Sequence, residues 1–355
     1  MRYFVFFPFI LFLFSCNESS NNNDDDVLNR KQMLSDYADY YIIPKFEQLY
    51  NDLDLLESNL IEINSTEDIS KIDEFKNQFL VSYKSWQYVA FLNFGPAESN
   101  SLNNICNIYP VNINKINSNI ESGNYNLLSA INTDAIGFPA LDYLLFADDL
   151  NEEFNFDNAN FKKYISDNIA LMKSKVDVCL KDWKGNYKIS FKDNDGKSVG
   201  SGLSMIVNSI NRYWEKDLRD GKLGIPIGVR SNGVVLKEKS EAYYSDYSLE
   251  LLKASIKGFS EFYINSDQGL SLFDYLYDRR NEYGDGKLHQ TIKSNFENIL
   301  IRVESLQGSL SQNIDQNNQE LLSIYQEFQK QIVYLKVDMP SILGVSITYQ
   351  DNDGD

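Results

Sequence analysis

The sequence predicts an all-α protein, with two helical-bundle domains packed side by side and a small β-ribbon in the second half. Apolar residues recur at steps of three and four along most of the chain, which is the period of one helical face. A hydrophobic content of 43% in 355 residues is enough material for two packed cores. Antiparallel helices that bury such stripes against one another form bundles.

The first 15 residues predict a signal peptide. One positive charge at Arg2 precedes the apolar run 3–14, which is too short to span a bilayer. The run ends in Leu-Phe-Ser-Cys, which resembles a bacterial lipobox and makes Cys16 the predicted lipidation site. An ordinary signal peptide that happens to contain a cysteine is the alternative. We expect a protein lipid-anchored to the outer membrane, on its periplasmic side or at the cell surface.

The mature chain divides into a tether and two domains. Residues 16–30 are predicted to be a flexible acidic tether, because 17–26 contain no apolar residue. The first helical bundle is assigned to 31–150 and the second to 151–355, with the boundary where Asp, Glu and Asn accumulate. The clearest stripes are Leu49, Leu53, Leu56 and Leu60; Phe75, Phe79, Tyr83 and Trp86; and Phe161, Ile165, Ile169, Met172, Val176, Cys179 and Trp183.

Two short segments alternate apolar and polar residues as strands do, at 187–191 and 345–349. Each is followed by Asp-Asn-Asp-Gly, and the pair predicts the small β-ribbon. The tetrapeptides are interpreted as turns. A Ca²⁺ loop is the alternative, but the glutamate that an EF-hand loop requires is missing from both.

Charge and cysteine content restrict the partners. The chain has 33 basic and 51 acidic residues, a net charge of −18, which opposes binding to nucleic acid and to anionic membranes. Besides Cys16 there are two cysteines, Cys106 and Cys179. In an oxidising compartment they form either one disulfide or two thiols, and their spacing does not decide between these.

Several segments resemble a known family. The most specific is Gly137-Phe-Pro-Ala-Leu-Asp-Tyr-Leu-Leu-Phe146, which is similar to the Gly-x-His-x-x-Glu motif and following apolar helix of the imelysin family, the M75 peptidases. Residues 83–96, 40–44, 241–245 and 336–355 also resemble segments of that family. The resemblance implies a helical protein of the cell envelope, with links to iron uptake and to a peptidase activity.

The motif is degenerate in this chain. Pro139 stands where the family has histidine, and Asp142 stands where it has glutamate, whereas Gly137 is kept. Proline has no titratable group and no metal-donor atom in its side chain. The sequence has one histidine, His289, so a zinc peptidase site with several nitrogen ligands is excluded. These residues favour a protein without catalytic activity.

The predicted ligand-binding residues are therefore oxygen donors and one cation: Asp142, Glu98 and Glu241, with Arg230 in the glycine-rich segment 221–235, predicted to be a long loop. Carboxylates can hold a hard cation such as Fe³⁺ or Ca²⁺ without nitrogen ligands. The alternative is that Asp142 forms only local hydrogen bonds.

Three functions remain open from the sequence. The preferred one is a lipid-anchored accessory protein that binds iron or haem in the cleft between the two bundles. For haem, the lone His289, the methionines and the 23 tyrosines offer axial ligands without a specific spacing. The others are an imelysin-type peptidase and an interaction module that binds a receptor or another lipoprotein.

Overall fold

The computed structural model describes residues 24–66, 69–148, 156–264, 268–280 and 284–349. The α-helices are α1 (Asp24–Asp36), α2 (Ile43–Thr66), α3 (Ile72–Trp86), α4 (Pro96–Ser99), α5 (Leu102–Cys106), α6 (Ile113–Ser122), α7 (Gly137–Phe146), α8 (Ala159–Lys184), α9 (Asn186–Asp193), α10 (Gly202–Arg212), α11 (Ser248–Ile264), α12 (Leu272–Asp278), α13 (Leu288–Ser305), α14 (Leu310–Gln316), α15 (Asn318–Ile332) and α16 (Met339–Leu343). Segments Tyr37–Ile42, Tyr213–Gly224 and Val333–Asp338 are π-helical, and Ile69–Lys71, Ala130–Ala135, Val229–Ser231 and Lys237–Lys239 are 3₁₀ turns.

The π-helical segments extend α-helices and do not interrupt them. Asp36 and Ile43 on either side of the first one have right-handed helical angles, so α1 and α2 form one long helix. This helix begins at Asp24, inside the predicted tether 16–30, so the last residues of that segment are helical. The buried Arg30 fixes it, because its Nε donates a 2.9 Å hydrogen bond to the Tyr275 hydroxyl.

The signal peptide 1–15, the lipidation site Cys16 and the start of the tether lie outside the described residues. In the part of the chain that the structure describes, no helix is long and apolar enough to cross a membrane.

The predicted apolar stripes form the core. Leu49, Leu53 and Leu56 in α2 have no exposed surface, and α2 packs along α3 and α8. The stripe of α8, from Phe161 to Trp183, is buried at every predicted position. Buried side chains of both halves belong to one hydrophobic cluster. The division into two domains stays a prediction, because much of the predicted boundary falls in 149–155, outside the described residues.

The predicted β-ribbon is wrong. The described ranges contain no β-strand, and 187–191 lies within α9. Positions four apart share a face in both a strand and a helix, so the pair Tyr187 and Phe191 fitted either period. The intervening Ile189 decides the matter, because it is 52% exposed while Phe191 is buried between Phe94 and Trp183.

The other segment, 345–349, is irregular, and it forms no strand within the described residues. It is held by a side chain of α10, because the Asn208 carboxamide accepts from the Thr348 N–H at 2.7 Å and donates to the Ser346 carbonyl at 3.0 Å. The tetrapeptide starting at Asp193 is not the predicted turn: Asp193 is the last residue of α9, and residues 194–196 are irregular with a bend at 196. The second tetrapeptide, 351–354, lies outside the described residues.

The two remaining cysteines are thiols. Cys106 and Cys179 are both buried and unbridged, and the Cys179 thiol donates to the Pro96 carbonyl at 3.4 Å. Burial raises the pKa of both thiols, to about 12 for Cys179. They therefore act as small core residues.

Candidate functional site

The motif glycine is required by a close approach between backbones. Gly137 begins α7 with a φ of +78°, and a Cβ atom there would lie 2.4 Å from the Cys106 carbonyl oxygen. The Gly137 N–H donates to the Asn168 side chain at 3.1 Å. Only glycine combines this conformation with this contact.

The proline and the aspartate of the motif both have structural roles. Pro139 lies in the first turn of α7, where its missing N–H costs no helical hydrogen bond. Asp142 is 1% exposed, and its two oxygens accept from the backbone N–H groups of Tyr244 and Ser245 at 2.9 and 3.2 Å. Asp142 thus holds the turn 241–247 against α7.

Burial raises the pKa of Asp142 to about 7, and the hydrogen bonds from Ser245 and Tyr244 oppose this rise. The nearby negative charge of Glu241 adds to it. The carboxyl beside the turn therefore keeps its proton to a higher pH than an ordinary aspartate does.

Glu241 lies at the start of that turn and is the centre of a buried polar cluster. Its carboxylate accepts from Lys222 Nζ, from Gln87 Nε2 at 3.1 Å and from Asn107 Nδ2 at 2.7 Å. Lys222 Nζ also donates to Gln87 Oε1 at 2.7 Å, and the Ser255 hydroxyl donates to the same oxygen at 2.8 Å. We call these five residues the Lys222 cluster.

A cavity of about 270 Å³ adjoins this cluster, and we call it the Lys222 cavity. Three of its charged side chains are basic, Arg212, Lys222 and Lys239, and one is acidic, Asp217. Burial raises the pKa of Asp217 to about 6 although Arg212 and Lys222 oppose this, and burial lowers the pKa of Lys222 although Glu241 opposes this. The other lining residues are Trp86, Ala90, Asn93, Asn103, Asn104, Asn107, Ile108, Tyr109, Pro110, Tyr213, Gly221 and Ile225.

The comparisons agree with this architecture. The family model described as Imelysin matches residues 42–336. The chain belongs to the imelysin family. It is similar to the crystal structure of an imelysin-like protein from Psychrobacter arcticum 273-4, with a TM-score of 0.74 and 16% identity over 91% of this chain and 98% of that chain.

A second solved structure comes from Parabacteroides distasonis ATCC 8503 and is described as an iron-regulated protein A precursor. It has a TM-score of 0.75 and 13% identity over 92% of this chain and 97% of that chain. At these identities the likeness is one of fold. The comparison with curated proteins gives no match.

The predicted oxygen-rich metal site does not fit the residues of this imelysin family member. The Asp142 oxygens are occupied by backbone N–H groups, and the Glu241 oxygens by three side chains, one of them a lysine. A cation at Glu241 would have to displace or face the Lys222 ammonium. Among the described residues, no three His, Cys, Asp or Glu side chains are grouped for a metal ion.

The structure brings Asp142 and Glu241 to one turn and places the other predicted site residues elsewhere. Glu98 is exposed in an open groove that shares Arg212 with the Lys222 cavity. Arg230 forms an ion pair with Asp220 at 2.8 Å. His289 packs against aromatic rings at the start of α13, and burial lowers its pKa.

Sequence reasoning missed the cavity's main polar residues. Lys222 lies in 221–235, which was predicted to be a loop, but the π-helical segment continues to Gly224 and buries the lysine. Gln87 could have been predicted from the sequence, because it caps the end of α3 and follows the buried Phe79 and Tyr83 at steps of four. A polar residue at a core position indicates a buried partner.

Proposed function

We propose that this imelysin family protein is a non-catalytic, lipid-anchored accessory protein of iron acquisition, which binds its ligand in the Lys222 cavity. The observation that carries the proposal is a cavity that is lined by the lysine of the buried Lys222–Glu241 ion pair and by further polar side chains. The iron link is supported by the description of the similar Parabacteroides protein as iron-regulated.

Binding is preferred to catalysis because the motif lacks reactive groups. Pro139 cannot exchange a proton, and both Asp142 oxygens already accept hydrogen bonds. The one histidine, His289, is packed among rings and does not line the cavity. We therefore expect no turnover of a peptide library by the mature protein.

The cavity favours a small iron complex over the bare ion or haem. Three of its four charged side chains are cations, and this excess of positive charge favours oxygen-rich anions over bare metal ions. Its volume of about 270 Å³ lies below the roughly 300–1,000 Å³ typical of pockets for drug-sized ligands, and haem is at least that large.

Titration calorimetry of the mature chain with Fe³⁺ alone, haem and ferric citrate tests this function. Asn104→Trp places a large ring at the exposed wall of the cavity and should weaken ferric citrate binding by at least about tenfold, since it removes space that the ligand needs. Asn124→Trp, at an exposed position outside the cavity lining, is the matched control. Failure of all three probes to bind would overturn the iron function.

The anchor has its own test. Cys16→Ala should move the protein from the membrane fraction to the soluble fraction of the producing bacterium, because the acylated residue is lost. Unchanged fractionation would contradict lipidation at this residue.

A further inference from the structure

We infer that the Lys222 cavity recognises carboxylate groups, and that its ligand is a small organic di- or tricarboxylate. The inference rests on the proposed function for the location of the binding site. The inference goes beyond the proposed function because it names the chemical group that is recognised.

The first observation is local charge. The chain as a whole has a net charge of −18, yet three of the four charged residues lining this cavity are basic. Glu241 neutralises Lys222, so Arg212 and Lys239 face the one carboxyl of Asp217 and leave an excess of one positive charge in the lining. A concentration of positive charge in an acidic protein attracts an anion to this place specifically.

The second observation is that these two cations are not used by the fold. Within the described ranges, neither the Arg212 guanidinium nor the Lys239 ammonium has an ion pair or a side-chain hydrogen bond, although Arg212 lies near enough to Asp217 to oppose the rise of its pKa. Arg219 and Arg302, by contrast, are both paired with carboxylates. Arg212 ends α10 at the junction of the cavity with the groove of Glu98.

The third observation concerns Lys222 itself. An ammonium group has three N–H donors, and Lys222 gives one to Glu241 and one to Gln87. The third donor remains for the cavity that Lys222 lines. Because Glu241 and Gln87 fix the ammonium in place, this donor is oriented before a ligand arrives, which reduces the entropy cost of binding.

The rest of the wall distinguishes a carboxylate from a phosphate. Trp86, Ala90 and Ile108 provide apolar surface for a carbon skeleton, which inorganic phosphate lacks. The Asp217 carboxyl stands in the same wall, and it repels phosphate and carboxylate anions alike unless a proton is shared. A ligand carboxyl group can share a proton with Asp217, since burial brings the pKa of Asp217 to about 6.

Calorimetry with metal-free probes tests the inference on the full mature chain. Citrate and succinate should bind, whereas succinamide, which has the size of succinate without its charge, and inorganic phosphate should not. Arg212→Gln and Lys239→Gln should each weaken citrate binding by about tenfold to a hundredfold, because each removes a charge-assisted hydrogen bond. Lys181→Gln removes the same charge from a 73% exposed side chain outside the cavity and should leave citrate binding unchanged.

The outcomes separate this inference from the proposed function. If ferric citrate or haem binds but Arg212→Gln and Lys239→Gln have no effect, or if phosphate binds as well as citrate, carboxylate recognition is overturned while the iron function stands. If metal-free citrate binds in an Arg212-dependent manner and no iron probe binds, the iron function is overturned and carboxylate recognition stands. Failure of every probe overturns both.

Discussion

Two buried charge clusters occupy the same π-helical segment, Tyr213–Gly224, and they differ in what surrounds them. In one, the Arg219 guanidinium donates to both oxygens of Asp220 at 2.9 Å, and Tyr325 and Arg230 bind the same carboxylate at 3.1 and 2.8 Å. We call this the Asp220 cluster. The other is the Lys222 cluster, which borders a cavity of about 270 Å³.

The difference shows how one helix can serve stability and binding with neighbouring residues. The Asp220 carboxylate has three protein partners on separate elements and connects the π-helical segment to α15 and to the 3₁₀ turn of Arg230. The Lys222 ammonium is equally buried but keeps a donor for the cavity. A charged group that the protein holds in place, and that keeps an unused hydrogen-bond donor, is suited to binding a ligand.

The largest expected effect comes from breaking the pair at the cavity. Lys222→Met leaves the Glu241 carboxylate buried without its cation, and loss of one partner of a buried ion pair costs about 3–5 kcal/mol in the free energy of unfolding. Urea denaturation monitored by circular dichroism measures this change.

The double variant Lys222→Met with Glu241→Leu is the control for that experiment. It removes both charges, so it should recover most of the stability that the single variant loses. Equal stability of Lys222→Met and the unaltered protein would show that the pair is not buried as described.

A smaller effect concerns the turn that carries Glu241. In the folded protein the pKa of Asp142 is raised from 3.8 to about 7, so the folded state keeps a proton that the unfolded state releases between these values. The free energy of unfolding should therefore fall as the pH rises from about 4 to about 7. Relative to Asp142→Asn, which cannot titrate, this fall is up to about 4 kcal/mol, since each pKa unit corresponds to about 1.4 kcal/mol.

Urea denaturation at intervals between pH 4 and pH 8 compares the two proteins. Asp217 also titrates in this range, with a pKa raised to about 6, so both should be measured in an Asp217→Asn background. Parallel pH profiles with and without Asp142→Asn would contradict the assignment of the raised pKa to Asp142.

The sequence was sufficient to predict the helical class and much of the core, because burial follows the helical period. The stripes of α2 and α8 were read correctly for this reason. The strand prediction at 187–191 was wrong because residues four positions apart share a face in both a strand and a helix. Only the exposure of Ile189 distinguishes the two.

The site was less accessible to sequence reasoning. Gly137 and Asp142 were predicted through the family motif, and Glu241 was predicted through the family-like segment 241–245. The roles of these residues could not be predicted from the sequence, because the roles depend on contacts between distant segments. An example is the contact of Asp142 with the N–H groups of Tyr244 and Ser245. Lys222 was overlooked since glycines on both sides predicted a loop, and nothing local indicates that a lysine is paired with a carboxylate 19 residues away.

The smallest expected effect comes from the Asp220 cluster. Asp220→Asn keeps the shape of the side chain but removes the charge that Arg219 and Arg230 share. Arg219 retains a hydrogen bond to Gln329, and Arg230 is one-third exposed and regains water. We expect a loss of about 1.5–3 kcal/mol in the free energy of unfolding, the range for a hydrogen bond to a charged group.

This variant should separate the two clusters by function. Because the Asp220 cluster does not line the cavity, Asp220→Asn should leave the affinity for ferric citrate unchanged while it lowers stability. Arg212→Gln should do the opposite, with a change in stability within about 0.5 kcal/mol, as expected for a surface side chain without a partner in the fold. If Asp220→Asn weakened ferric citrate binding as much as Arg212→Gln does, the two clusters would be coupled through the π-helical segment, and the division of roles along it would be wrong.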